Sequence, residues 1–305
     1  MSGVMFPVAG PGGGLPRLPR RRDCLQGGLL AAAWLTSPAQ AAPARQRIVS
    51  VGGALTEIVF ALQAQADLVG VDTTSLFPEA AQKLPSVGYA RTLSAEGVLA
   101  LAPTRVIATE DAGPPGVIRQ LTSAGVAVSV LPARHRFEGL CERVQRLGEL
   151  TGRVAEARAL QQALVQQWAR VQAQVTERAG KPPRVLFVLA HAPNQIMVAG
   201  ADTSAQAMLD YVGARNAISG FSGYKPLTPE AVIAAQPELV LLTDQGLSAA
   251  GGVEGILRLP GLAQTPAGQR RRVLALEAMF LLGFGPRLPA AVAALDQAID
   301  RVMNT

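Results

Sequence analysis

The sequence predicts an α/β protein built as two Rossmann-like lobes with mainly parallel sheets, joined by one long spine helix. First, short strand-like runs such as Ile48-Val49-Ser50-Val51, Arg105–Thr109 and Arg184–Leu189 are apolar almost throughout, not at every second position. Unbroken apolar runs mark strands covered on both faces, and their alternation with helical stretches marks βαβ units. Second, residues 153–178 contain neither Gly nor Pro, and Val154, Ala157, Leu164, Trp168, Val171 and Val175 recur at three- and four-residue steps. Third, one segment occurs twice, once on each side of that helix.

The chain begins with a segment that does not belong to the fold. Met1–Leu18 is rich in Gly and Pro and has no periodicity. The basic cluster Arg20-Arg21-Arg22, the apolar run Leu25–Leu35 and the small-x-small triplet Ala39-Gln40-Ala41 follow. That order is a secretory signal peptide, with cleavage expected after Ala41. The apolar run is too short to span a bilayer. Arg21-Arg22 also fits a loose twin-arginine (Tat) pattern, but any basic leader can produce it, so ordinary Sec export is favoured. Cleavage removes four arginines and one aspartate, lowering the formal charge from +6 to +3. No polybasic block with interleaved aromatics remains, which argues against nucleic-acid binding. Cys141 is the one cysteine after Ala41, so the fold rests on its core without an internal disulfide. A hydrophobic content of 49% against 16% charged residues supplies such a core and argues against disorder.

Along the mature chain, a strand at 48–51 leads through Gly52-Gly53 into a helix over Leu55–Leu62. Strands are expected at 68–71, 105–109 and 126–131, with helices at 95–101 and 114–124. The helical pattern of 139–150 breaks at Thr151-Gly152. The spine helix over 153–178 follows, about 40 Å long at 1.5 Å per residue, and Gly180-Lys181-Pro182-Pro183 stops it. Beyond it, strands are expected at 184–189, 196–200, 239–243 and 273–276, with helices at 204–212 and 290–303. The predicted organisation is a signal peptide at 1–41, an N-terminal lobe at 42–138, connecting helices at 139–180 and a C-terminal lobe at 181–305.

The duplicated segment reads Gly88-Tyr89-Ala90-Arg91-Thr92-Leu93-Ser94-Ala95-Glu96 in the first half and Gly223-Tyr224-Lys225-Pro226-Leu227-Thr228-Pro229-Glu230 in the second. Each copy runs from Gly-Tyr through a hydroxyl residue and a glutamate into a helix, then a proline, then a strand. Glu96 to Pro103 and Glu230 to Pro237 have the same spacing. Ser94 and Thr228 suit an N-cap, and a glutamate in the first turn suits the helix dipole. A βα unit used once per lobe predicts a ligand cleft between two related halves.

Catalytic signatures are absent. The two histidines, His135 and His191, are far apart, and no H-x-x-x-H or C-x-x-C occurs. Gly283-Phe284-Gly285-Pro286-Arg287 lacks the third glycine of a dinucleotide loop, no phosphate-binding P-loop is present, and Gly220-Phe221-Ser222-Gly223 is not a nucleophile elbow. The sequence therefore predicts a binding protein and not an enzyme.

Several segments together resemble the periplasmic haem-binding proteins of bacterial ABC haem importers, the HmuT, PhuT and ShuT group. They are Ser50–Ile58, Gly88–Glu96, Met197–Gly200, Gly223–Leu227 and Leu282–Arg287. The resemblance covers residues 46–303 and implies the class III periplasmic binding protein fold, which also serves cobalamin and siderophore carriers. It implies a ferric haem (haem b) as cargo, an ABC permease with its ATPase as partners, an outer-membrane haem receptor system upstream, and a monomer in the periplasm.

Residue by residue, Tyr89 matches the tyrosine whose phenolate ligates haem iron. A phenolate is a hard anionic donor suited to Fe(III), and tyrosinate is an established axial ligand type. Arg91 matches the arginine beside it, where a fixed positive charge favours the phenolate or a haem propionate. His191 resembles a second-lobe histidine that some relatives use as an additional ligand, including to a second stacked haem. Tyr224 and Lys225 are pocket or propionate candidates. Glu96 and Glu230 match paired glutamates that dock onto permease arginines, one per lobe. His135, flanked by Arg134 and Arg136, reads as a basic surface loop. Phe280 stands where relatives often carry tyrosine. A cobalamin or ferric-siderophore carrier of the same fold is the alternative, and a secreted enzyme a more distant one.

Overall fold

The computed structural model describes residues 45–177, 181–192 and 195–304; of residues 191, 192 and 195 only the backbone is described. The signal segment and its cleavage position lie outside the described residues.

The first half forms β1 (Ile48–Val51), α1 (Gly53–Ala61), β2 (Leu68–Val71), α2 (Ala95–Leu99), β3 (Arg105–Thr109), α3 (Pro115–Ser123) and β4 (Ala127–Leu131). Its four strands pair in parallel in the order β2-β1-β3-β4. All four β1 residues are buried, as a central strand covered on both faces requires. α4 (Phe137–Thr151) and α5 (Val154–Glu177) follow, separated by Gly152. α5 packs on α4 through Ala157, Leu164, Trp168 and Val171, four of the six positions that the periodicity assigns to its buried face. Val154, in the first turn, is 43% exposed instead.

The second half forms β5 (Arg184–Ala192), β6 (Gln195–Ala199), α6 (Ser204–Tyr211), β7 (Arg215–Asn216), β8 (Tyr224–Pro226), α7 (Pro229–Ala235) and β9 (Leu239–Thr243). α8 (Asp244–Ala249), α9 (Gly252–Leu257), α10 (Pro266–Gln269), β10 (Val273–Leu276), α11 (Ala278–Leu282) and α12 (Leu288–Asn304) complete it. Parallel pairings set β7, β5, β9 and β10 side by side, repeating the frame of the first sheet. β6 pairs antiparallel with β5, and β8 antiparallel with β6, so the second sheet is mixed. The two Gly-Tyr segments therefore differ: the first is a loop, whereas Tyr224–Pro226 is a strand paired to β6.

The halves share one core. A single cluster of buried side chains runs from Ile48 and Leu55 through Leu147, Trp168 and Phe187 to Leu288 and Leu295. At its centre Phe137 stacks on Trp168 at 4.8 Å, and Trp168 meets Tyr211 edge-on at 4.6 Å. The Tyr211 hydroxyl, which accepts from the Phe137 amide at 2.8 Å, joins α6 to the start of α4. Arg143, 3% exposed, donates to the Phe284 carbonyl at 2.7 Å, and burial pushes its pKa down to about 10 despite Glu110 and Glu142.

A second tie is ionic. Arg287 grips the α1 residue Glu57 with a two-point fork at 2.9 and 2.6 Å and also reaches Glu277 at 3.2 Å. Its guanidinium lies over the Phe77 ring at 4.1 Å and the Phe280 ring at 5.2 Å. Gly285 permits this approach, because a Cβ there would stand 3.1 Å from a Glu57 carboxylate oxygen. Burial pushes the Glu57 carboxyl up, and Arg287 pulls it back only in part. Arg287→Ala would leave the 5%-exposed Glu57 carboxylate without its counter-charge, at an expected cost of about 3 kcal/mol. Urea unfolding measures this loss; a change within about 0.5 kcal/mol, the scatter of ordinary surface substitutions, would show that the pair does not hold the halves together.

Candidate functional site: a cleft at the strand ends

The C-terminal ends of parallel strands are where α/β sheets bind ligands. The loop after β2 carries Gly88-Tyr89-Ala90-Arg91. Gly88 has φ 88° and Gly223 has φ 77°, both left-handed, and a Cβ would meet nothing at either. Backbone conformation, not crowding, thus explains why each copy begins with glycine. Ala90–Thr92 makes one 3-10 turn. The Ala90 carbonyl accepts from Gly113 at 2.9 Å, and the Leu93 amide donates to Gly113 at 2.8 Å, stapling this loop to the one after β3.

Tyr89 is 44% exposed, an unusual state for a large ring on a stapled loop. Arg91 donates to Asp111 at 3.0 Å, and the other Asp111 oxygen accepts from the Thr109 hydroxyl at 2.6 Å. Burial raises the Asp111 carboxyl, but Thr109 and Arg91 outweigh it and hold the group below its ordinary range. Burial likewise opposes the Arg91 cation, yet the Asp111 bond and the Tyr89 and Tyr224 rings hold it protonated more firmly than usual.

Tyr224 is half-buried. Burial pushes its phenol up, against hydrogen bonding to Ser204, the Arg91 charge and hydrogen bonding to Thr203. Thr203 caps α6 by accepting from the Gln206 amide at 3.1 Å. Successive residues of a strand face opposite sides, and Lys225 lies over the Phe221 ring at 5.0 Å, so it does not join Arg91 and Tyr224. The backbone sets His191 near the end of β5; its side chain lies outside the described atoms.

Glu96 and Glu230 are exposed in the first turns of α2 and α7. Their caps match: Gly97 donates to Ser94 and Ala231 to Thr228, each at 3.3 Å.

His135 lies exposed on the loop between β4 and α4, between exposed Arg134 and Arg136, as the sequence reading expects. Its ring meets Phe284 edge-on at 5.4 Å and lines a cavity of 340 Å³ with Asp202, Thr203, Gln206, Ala207 and Asp210. Burial and then Arg143 lower its pKa, against Glu110 and Asp111. The rule that singled out His191, proximity to the end of a parallel strand, applies equally to His135, just past β4. Thr203 lines the His135 cavity, and Asp111, just past β3, bonds Arg91.

Known proteins share this fold. The solved structure of the periplasmic haem-binding protein BhuT in complex with two haems is 45% identical, covers 85% of this chain and 99% of that one, and superposes with a TM-score of 0.82. An ABC transporter substrate-binding lipoprotein of Bacillus subtilis, YvrC, is 26% identical over 83% of this chain and 80% of its own length. The vitamin B12-binding protein of Salmonella typhi is 27% identical over 65% of this chain and 73% of its own. The family model described as periplasmic binding protein matches residues 48–279. That span holds the cleft loops and both sheets, and the chain belongs to the periplasmic binding protein family.

Proposed function

We propose that this protein captures ferric haem between its lobes and hands it to an ABC permease and its ATPase. One observation carries the reading: Tyr89 stands exposed on the loop after β2, two residues before Arg91, whose guanidinium Asp111 holds in place. A phenol ionises only near pH ~10 when free, and iron together with a fixed neighbouring cation favours the phenolate. Tyr89 then ligates the iron, with Arg91 tuning it or pairing a propionate. Tyr224 faces the same space, Lys225 serves the rim, and His191 is a further ligand candidate. Glu96 and Glu230, one exposed carboxylate per lobe, dock the permease arginines.

The export signal, the family and the cargo together fit a monomeric periplasmic carrier of haem b. Lobes at 42–138 and 181–305, joined by helices within 139–180, form its two sides, and an outer-membrane haem receptor stands upstream. The shared core and the Glu57–Arg287 pair favour small lobe movements on loading. Similarity to vitamin B12-binding proteins keeps cobalamin as the second reading, but that cargo has no use for an iron-ligating Tyr89. Parallel titrations of the purified protein with haemin and with cyanocobalamin separate the two. Expected is saturable haemin uptake with a ferric tyrosinate spectrum and no cobalamin binding. Absence of haemin uptake, or tighter binding of cobalamin, would overturn the haem reading.

A further inference from the structure

The loop after β2 offers an apolar surface to which the haem reading gives no task. Its base is fixed: buried Asp72 accepts from the Gly52 amide at 2.9 Å, the Thr74 hydroxyl at 2.7 Å and the Ser75 hydroxyl at 2.8 Å. The Thr73 amide donates to the Gly88 carbonyl at 3.0 Å, which sets this turn beside the segment that carries Tyr89. The next two side chains, Leu76 and Phe77, are large, apolar and 39% and 46% exposed. Adjacent exposed apolar groups on an anchored turn favour an apolar guest, because little ordering is left to oppose binding.

The second half completes the surface. α11 brings Met279 against the start of α1, where a Cβ on Gly53 would stand 3.0 Å from the Met279 methyl. Phe280 follows it, and Phe280 and Phe77 both lie against the Arg287 guanidinium, at 5.2 and 4.1 Å. A cation over a ring face holds the ring in place, so Arg287 orients one ring from each half.

The charges there select against a carboxylate. Glu57 and Glu277 both engage Arg287, at 2.6 and 3.2 Å, so two acids surround one base and leave no cation for an acid group on a guest. Haem carries its propionates along one edge and only methyl and vinyl groups along the opposite edge. An apolar surface backed by excess negative charge accepts the methyl and vinyl edge and repels the propionate edge.

We infer that Leu76, Phe77 and Phe280 form a shelf for the apolar edge of the haem held by Tyr89, and that this shelf selects iron porphyrins whose carboxylates all lie on one side. Arg287 is its positioning residue. The inference rests on the haem reading and extends it from the iron to the porphyrin rim.

Titrations with haemin and with ferric coproporphyrin, which carries a propionate on every pyrrole ring, test it in the wild type, Leu76→Lys and Phe77→Ala. The wild type should bind haemin about tenfold more tightly than ferric coproporphyrin, or better. Leu76→Lys places a cation on the shelf and should cut that ratio about tenfold, by tightening the coproporphyrin complex. Phe77→Ala should weaken haemin binding about tenfold with the tyrosinate spectrum intact. Leu76 is exposed and stands outside the Glu57–Arg287 pair, so its variant reports even if Phe77→Ala disturbs Arg287. A loop with a merely structural role would weaken both porphyrins alike and leave their ratio unchanged, which would overturn the inference. So would a wild type that binds the two equally, or a Phe77→Ala variant with wild-type haemin affinity. The haem reading survives those results, whereas no uptake of either porphyrin by any form would overturn both.

Discussion

Tyr89→Phe should lower haemin affinity more than 100-fold. Loss of a group that merely supports a metal ligand costs ~10–100-fold, and loss of the ligand itself costs more. The ring stays, so apolar contact with the porphyrin is kept and the deficit reports the Fe–O bond. The tyrosinate charge-transfer band should vanish from the spectrum. Retention of that band in Tyr89→Phe would remove the ligand assignment. Asp111→Asn supplies the opposite sign. Asp111 now neutralises Arg91 through the 3.0 Å hydrogen bond, so the asparagine variant leaves the guanidinium free to favour the phenolate or a propionate. Haemin binding should tighten at low salt, and the gain should shrink as salt screens the exposed charge.

The second large effect is expected in transport, not in binding. Glu96 and Glu230 are exposed, at matched positions in the first turns of α2 and α7. Neither is in the wall around Tyr89. Glu96→Ala with Glu230→Ala should leave the haemin titration unchanged and cut permease-dependent uptake into proteoliposomes at least tenfold. That factor corresponds to about 1.4 kcal/mol, less than the usual cost of truncating one partner of a buried charge pair. Each single variant should retain part of the rate, because each lobe keeps one contact. Normal uptake by the double variant would exclude these carboxylates as the docking pair.

Much of the fold was legible in local pattern. β1, β2, β3 and β9 lie where unbroken apolar runs put them, and α5 begins and ends within the stretch free of Gly and Pro. The capped helix starts at Ser94 and Thr228 follow from side-chain oxygens that satisfy local amides. β6 lies within one residue of the strand expected at 196–200, but β8 was not legible, because three residues around Pro226 carry no strand signal until β6 offers an edge to pair with. Helices α8 to α10 are short, with too few turns to show a period.

The candidate site divides along the same line. Tyr89 and Arg91 stood out because a rare tyrosine, a positive-φ glycine and a helix start lie together in sequence. Asp111 did not, since its role rests on an ion pair formed only when the loops after β2 and β3 are stapled. His135 sits on the exposed basic loop that its neighbours suggest, and only the fold shows that its ring also meets Phe284, far along the chain. The sequence by itself determined the two-lobed α/β plan, the spine helix and the paired Gly-Tyr segments, because helix periodicity, strand burial and capping act over a few residues. Tertiary structure alone decided the mixed second sheet, the Glu57–Arg287 clasp and the Arg91–Asp111 pair. Those depend on contacts between distant residues, whose pairing is chosen by packing the shared core and not by any local preference.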